Sequence, residues 1–94
     1  MNEKNREALI ILQEECGEVV QEVSKCFRFG LDSVHYKTGL SHRAMLEMEL
    51  GDMLAMVDIL VEQGLVSRSG LELSAENKKI KLRQWSKLYE TENK

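Results

Sequence analysis

Two short stretches of this chain repeat one arrangement of side chains. Residues 15–20 read Glu15-Cys16-Gly17-Glu18-Val19-Val20, and residues 49–54 read Glu49-Leu50-Gly51-Asp52-Met53-Leu54. Each is acid, apolar, glycine, acid, apolar, apolar. On a helix the two acids of each stretch lie one turn apart on one side. Glu49 falls inside an apolar stripe, three residues from Leu46 and four from Met53. A lone carboxylate there is costly unless it is protonated, paired with Arg or Lys, or bound to a metal. Glu15 and Glu18 run on into Glu22 at i, i+3 and i+7, beside the apolar stripe of their own segment. If the two stripes pack together, Glu15, Glu18, Glu49 and Asp52 converge. Carboxylates so gathered repel one another unless a cation joins them. An all-oxygen set without His or Cys selects a hard cation, Mg²⁺ first, with Mn²⁺ or Ca²⁺ as alternatives. Carboxylate-held Mg²⁺ usually binds substrate phosphates as well, which points to phosphate-ester or phosphoanhydride chemistry.

These acids need helices to position them, and three helical segments are legible. Leu9, Leu12, Cys16, Val19, Val20, Val23 and Phe27 recur at three- and four-residue spacing, predicting a first helix over about residues 5–27 that Gly30 ends. Residues 30–40 read as a loop between glycines. Ser41 suits the N-cap of a second helix that carries Leu46, Leu50, Met53, Leu54, Val57, Leu60 and Val61 and stops at Gly64. The stretch 67–70, Ser-Arg-Ser-Gly, signals a turn. A third helix is expected after Ser74, with Ala75, Lys78, Leu82, Trp85 and Tyr89 on one inward face. Gly17 and Gly51 lie away from the acids of their motifs. A glycine inside a helix costs about 1 kcal/mol against alanine, so a close helix approach on that back face is expected. The fold class is all-α: a small bundle of three main helices forming one domain over 1–94. So thin a core is expected to be completed by self-association.

Composition removes other functions. The chain has 94 residues, with 13 Lys and Arg against 16 Asp and Glu, and no proline. The acidic balance, without a long basic block, argues against nucleic acid or an anionic membrane as partner. The apolar runs are too short to cross a bilayer, and the start MNEKNREALI lacks a signal-peptide core, so a cytoplasmic location is expected. Cys16 and Cys26 lie ten residues apart on one helix, about 15 Å along its axis. A disulfide requires Cα atoms within about 7 Å, so they read as buried structural thiols. Glu3, Glu7, Glu47, Asp58, Glu62, Glu90 and Glu92 read as solvated acids.

The run Glu14-Glu15-Cys16-Gly17-Glu18, followed by Glu49-Leu50-Gly51-Asp52, resembles the E-E-x-x-E … E-x-x-D signature of the MazG-like, all-α nucleotide pyrophosphohydrolases. LQEECGEVVQEVSKCFRFG at 12–30 and LGDMLAMVDILVEQGLV at 50–66 look like the first two helices of the short members found in bacteriophages and bacteria. NKKIKLRQWSKL at 77–88 is similar to their basic, Trp-containing terminal helix. The loop at 31–41 matches no part of that pattern. The resemblance implies Mg²⁺-dependent hydrolysis of (d)NTPs between the α- and β-phosphates, giving monophosphate and pyrophosphate. It implies a homo-oligomer, a dimer or a dimer of dimers. By motif position it makes Glu15, Glu18, Glu49 and Asp52 the metal ligands, and Glu14 the group that orients or deprotonates the attacking water. Lys25, Arg28 and Lys78 are then candidates to bind the triphosphate.

Two alternatives stand beside this reading. Phosphoribosyl-ATP pyrophosphohydrolases use a similar four-acid scaffold, although the SKCFRFG continuation and the basic terminal helix look more like MazG. A non-catalytic helical dimerisation module could keep the same shape, but it would have no reason to keep Glu49 on an apolar face. Setting the four proposed ligands aside leaves 12 acids against 13 bases, so the chain's acidity lies largely in one proposed site.

Overall fold

The computed structural model describes residues 1–91, which leaves Glu92 outside the described residues. Three helices follow one another: α1 (Glu3–Phe29), α2 (His42–Glu62) and α3 (Arg68–Trp85). Among the described residues there is no strand, only an isolated bridge between Val34 and Ser41. The all-α reading therefore holds.

Local chemistry accounts for the ends of each helix. Asn2 caps α1, its side chain accepting a 2.8 Å hydrogen bond from the Asn5 amide. With Glu3 favourably placed in the first turn, the helix starts two residues before the expected start at about residue 5. Gly30 closes it at φ 92°, in the region that favours glycine. Ser41 caps α2 as its sequence position suggests, accepting from the Ala44 amide at 3.1 Å. Replacing an N-cap serine by alanine costs about 1 kcal/mol. Ser41→Ala is therefore expected to lower Tm by about 4–8 °C in a thermal melt, with the helix otherwise retained.

The third helix corrects the expected start. It begins at Arg68, not after Ser74, because Ser67 acts as an N-cap and accepts from the Gly70 amide at 3.1 Å. Ser, Asn and Gly mark both turns and helix starts, so the stretch 67–70 reads either way in sequence. α3 also ends at Trp85, which leaves Tyr89 beyond it. The ring of Tyr89 lies under the Arg83 guanidinium, 5.0 Å from its centroid.

α1 and α2 form an antiparallel pair. At one end Ala8, Met56 and Leu60 are buried, with Leu9, Ile11, Leu12, Ile59 and Leu65 packed around them. At the other end the Cys26 thiol lies 3.8 Å from the His42 carbonyl oxygen. Both cysteines are free, and Cys16 is exposed rather than buried. The face that α1 turns toward α2 differs from the expected stripe. Val20, Val23 and Phe27 are exposed, while Glu22 is buried and Glu15 half-buried. Helical period fixes which residues share a face, but apolar residues line two faces of α1, and the acidic row lies on the side toward α2, with Glu22 buried, Glu15 half-buried and Glu18 exposed.

α3 buries none of its residues. Trp85 is 85% exposed and Lys78 is exposed, so within one chain the expected inward face of α3 is largely uncovered, Leu82 being half-buried. The molecule is a flat slab, 51 × 40 × 15 Å. Its accessible surface is 7701 Å², against roughly 5,500 Å² for a monomer of this mass. Gly17 and Gly51 face open space, with nothing within 4 Å of an added Cβ, so α1 and α2 do not meet across their glycines.

Candidate metal centre

The middle of the α1–α2 pair is acidic. Glu15 and Glu18 on α1 and Glu49 on α2 each bring one carboxylate oxygen within 4.8 Å of the others. The helix pairing produces this directly. Two segments with acids on their facing sides run antiparallel, with the apolar core beyond one end of the cluster and His42 beyond the other.

The cluster is electrostatically frustrated. Oε2 of Glu15 and Oε2 of Glu49 are buried and find no hydrogen-bond partner. The Glu15 carboxyl is pushed above the ordinary glutamate range, first by desolvation, then by the charge of Glu18 and hydrogen bonding with it, and further by Asp52 and Glu14. Glu49 is pushed the same way, first by side-chain hydrogen bonding with Glu18, then by desolvation and by the charges of Glu18, Asp52 and Glu15. No Lys or Arg among the described residues pairs with Glu15, Glu18 or Glu49. The basic side chains that do pair go to Glu22, Asp32 and Asp58. A buried ion pair therefore does not explain Glu49. Oxygen donors with unsatisfied buried lone pairs and no resident countercharge fit a hard divalent cation.

The raised values make a pH prediction for the metal-free protein. A carboxyl that binds its proton more tightly when folded stabilises the fold below the ordinary value, about 4.5 here, and that contribution is lost as pH rises through the raised value. Glu49→Gln removes this loss. The Tm difference between Glu49→Gln and the wild type in EDTA should therefore widen as pH goes from 4.5 toward neutrality. Asp32, held below its ordinary value by its hydrogen bonds and charge pairing with Arg43, acts in the opposite sense and only at pH below about 3.8. A difference that stays flat would show that Glu49 is not crowded by like charges.

The other expected site residues are spread around this cluster. Asp52 is exposed and lies outside the three-oxygen group, although its charge reaches both Glu15 and Glu49. Glu14 is exposed beside Glu15. Lys25 is half-buried, its Nζ 3.8 Å from Glu22 Oε2. Arg28 is exposed and places its guanidinium 5.0 Å from the Phe29 ring centroid. Lys78 sits on α3, which does not pack against the cluster within one chain.

Sequence reasoning passed over the neighbouring pair. Glu22, the third acid of the α1 row, is only 3% exposed, and so is His42. His42 Nδ1 lies 3.6 Å from Glu22 Oε1. The i, i+3, i+7 spacing of Glu15, Glu18 and Glu22 was the available signal that the row runs along the side of α1 toward α2, exposed at Glu18 and buried at Glu22. Nothing in the sequence around His42 marks it, because the first residue of a helix can point to either side.

A family model described as the MazG nucleotide pyrophosphohydrolase domain matches residues 3–83. No curated protein and no solved structure matches the chain.

Proposed function

The chain belongs to the MazG nucleotide pyrophosphohydrolase family, and from that membership we propose that it hydrolyses nucleoside triphosphates, ribo or deoxy, at the α–β phosphoanhydride. The products are the nucleoside monophosphate and pyrophosphate. The observation that carries this reading is the meeting of Glu15, Glu18 and Glu49 with no countercharge, one oxygen each of Glu15 and Glu49 being buried and unpartnered. An inert helical module has no use for that cost.

In this proposal Glu15, Glu18, Glu49 and Asp52 hold Mg²⁺, with Mn²⁺ as a substitute. The ion, when bound, supplies charge neutralisation of the triphosphate and makes a water more acidic. Glu14, exposed at the rim of the cluster, orients the attacking water or takes its proton. Lys25 and Arg28 follow the acids along α1 and meet the phosphates, Lys25 leaving its long contact with Glu22 to do so. Lys78 reaches substrate from the α3 of a neighbouring subunit. Residues 1–94 act as one domain, in the cytoplasm. No helix among the described residues is long and apolar enough to cross a membrane.

The assembly in this reading is a dimer or a dimer of dimers. Val20 and Phe27 on α1, at 65% and 87% exposure, and Leu54 on α2 are uncovered in one chain. Their burial against a second copy would reduce the excess surface described above. Sedimentation of the wild type should give a mass at least twice 10.8 kDa, and Val20→Glu should lower it. A monomeric wild type would overturn this part of the proposal.

The activity itself is tested with a panel of NTPs and dNTPs in Mg²⁺, scoring pyrophosphate release. At least one nucleotide should be turned over, and none in EDTA. A wild type that releases nothing from any of them refutes the enzyme reading in favour of a non-catalytic module.

A further inference from the structure

Beyond the acidic cluster, the α1–α2 pair ends in a cleft of about 410 Å³. That is within the roughly 300–1,000 Å³ of small-molecule sites. Its walls include Lys25, Phe29, Ser33, His35, Tyr36 and His42. The loop between α1 and α2 that supplies several of them is built rather than slack. The His35 amide donates to the Leu40 carbonyl at 2.8 Å, the His42 amide to Ser33 at 3.1 Å, and the Arg43 amide to Leu31 at 2.8 Å. The Arg43 guanidinium holds Asp32 through two contacts of 3.0 and 3.2 Å.

The cleft is lined by rings. Phe29 and His42 stack with centroids 5.3 Å apart and planes 19° apart. His35 and Tyr36 stack at 5.2 Å and 16°. His35 meets His42 edge-on at 6.1 Å. Polar capacity sits among them. His42 is nearly buried and its Nδ1 faces Glu22 without a hydrogen bond. His35 Nδ1 accepts from the Lys37 amide at 3.2 Å, which leaves Nε2–H as the donor that ring can offer. Flat aromatic walls with a few ring donors and one ammonium suit a flat heteroaromatic ligand with polar edges.

Position narrows the ligand further. Lys25 lines the cleft, its backbone seven residues after Glu18 on the same helix, about 10 Å along its axis, while its Nζ turns back toward Glu22 on the phosphate side. A nucleotide spans about that length from its α-phosphate to the far edge of its base. We propose that this cleft takes the nucleobase of the substrate, with Phe29, His35, Tyr36 and His42 forming its stacking and edge-recognition walls. The inference rests on the pyrophosphohydrolase reading for the placement of the phosphates, and the test separates the two.

The imidazole C–H NMR signals of His35 and His42 are followed in the full chain while AMP, GMP, CMP, UMP and dTMP are added in EDTA. At least one of the five should shift both histidines saturably. Tyr36→Ala, at an exposed position, and His35→Ala, which removes the ring edge-on to His42, should each raise Kd for that nucleotide about tenfold, the effect of losing one base–aromatic contact. Inhibition of nucleotide hydrolysis by inorganic tripolyphosphate, which has no base, should be unchanged in both variants. Hydrolysis by the wild type without any histidine shift overturns the cleft and leaves the enzyme reading intact. Histidine shifts without hydrolysis support the cleft and refute the enzyme. Histidine signals that move with protein concentration but not with nucleotide show that a second copy fills the cleft, and overturn the proposal. Equal weakening of tripolyphosphate also overturns it, because the variants would then act on phosphate binding.

Discussion

Glu49→Gln lowers turnover by about 10²–10³-fold, the scale of removing one charged group that acts on the developing charge of a transition state, and it raises the Tm of the metal-free protein. The two effects have one cause. Glu49 is half-buried on α2 opposite Glu15 and Glu18, with one oxygen that no donor reaches. Its negative charge is unfavourable to the bare fold, and on the proposed reading a cation needs it. Glutamine has nearly the same shape and can donate to Glu18, so the helix pair packs as before. Circular dichroism should show unchanged helical content. Loss of activity together with loss of fold would mean that Glu49 is structural; retained activity would remove it from the site. Opposite signs for stability and activity are what a strained functional group gives, and what a surface acid or a core residue does not.

Mg²⁺ raises the Tm of the wild type, and it does so much less in Glu49→Gln. A ligand that binds only the folded state stabilises it by about 2.7 kcal/mol at a concentration 100 times its Kd. For a domain of this size that is an increase of about 10–20 °C. The rise has two sources: the new oxygen–cation contacts, and relief of repulsion among Glu15, Glu18, Glu49 and the nearby Asp52. The measurement is a pair of thermal melts, one in EDTA and one in saturating Mg²⁺, for each protein. Na⁺ at matched ionic strength controls for simple screening, which acts on exposed charges generally. Equal shifts in the two proteins would place any bound cation elsewhere.

The meeting of Glu15, Glu18 and Glu49, though not of Asp52 with them, was legible because its signal is doubled. An acid one turn from another acid is ordinary, but the same six-residue pattern in two helices, once within an apolar stripe, has few causes. Helical period then brought Glu15, Glu18 and Glu49 together without knowledge of the loop between them. The period could not choose between two apolar sides of α1. Val20 and Phe27 looked like core by spacing, and they lie on the outer side with Gly17. That choice is made by what packs on the helix, and in the proposed assembly a second copy covers the outer side. The same ambiguity hid Glu22. The loop at 30–41 was opaque for another reason: its order comes from main-chain hydrogen bonds and the Arg43–Asp32 pair, none of which leaves a periodic trace. His35 and His42 reach their places through that backbone. Ser67 was misread because turn and cap chemistry use the same side chains.

The central claim is that this acidic helix pair breaks one named bond. The direct measurement is ³¹P NMR of the products from whichever nucleotide in the panel is turned over, with Mg²⁺ and then with EDTA. The account predicts nucleoside monophosphate and pyrophosphate in equal amounts, formed only with the divalent cation and not by Glu49→Gln. Nucleoside diphosphate with orthophosphate, or turnover that persists in EDTA, would contradict it.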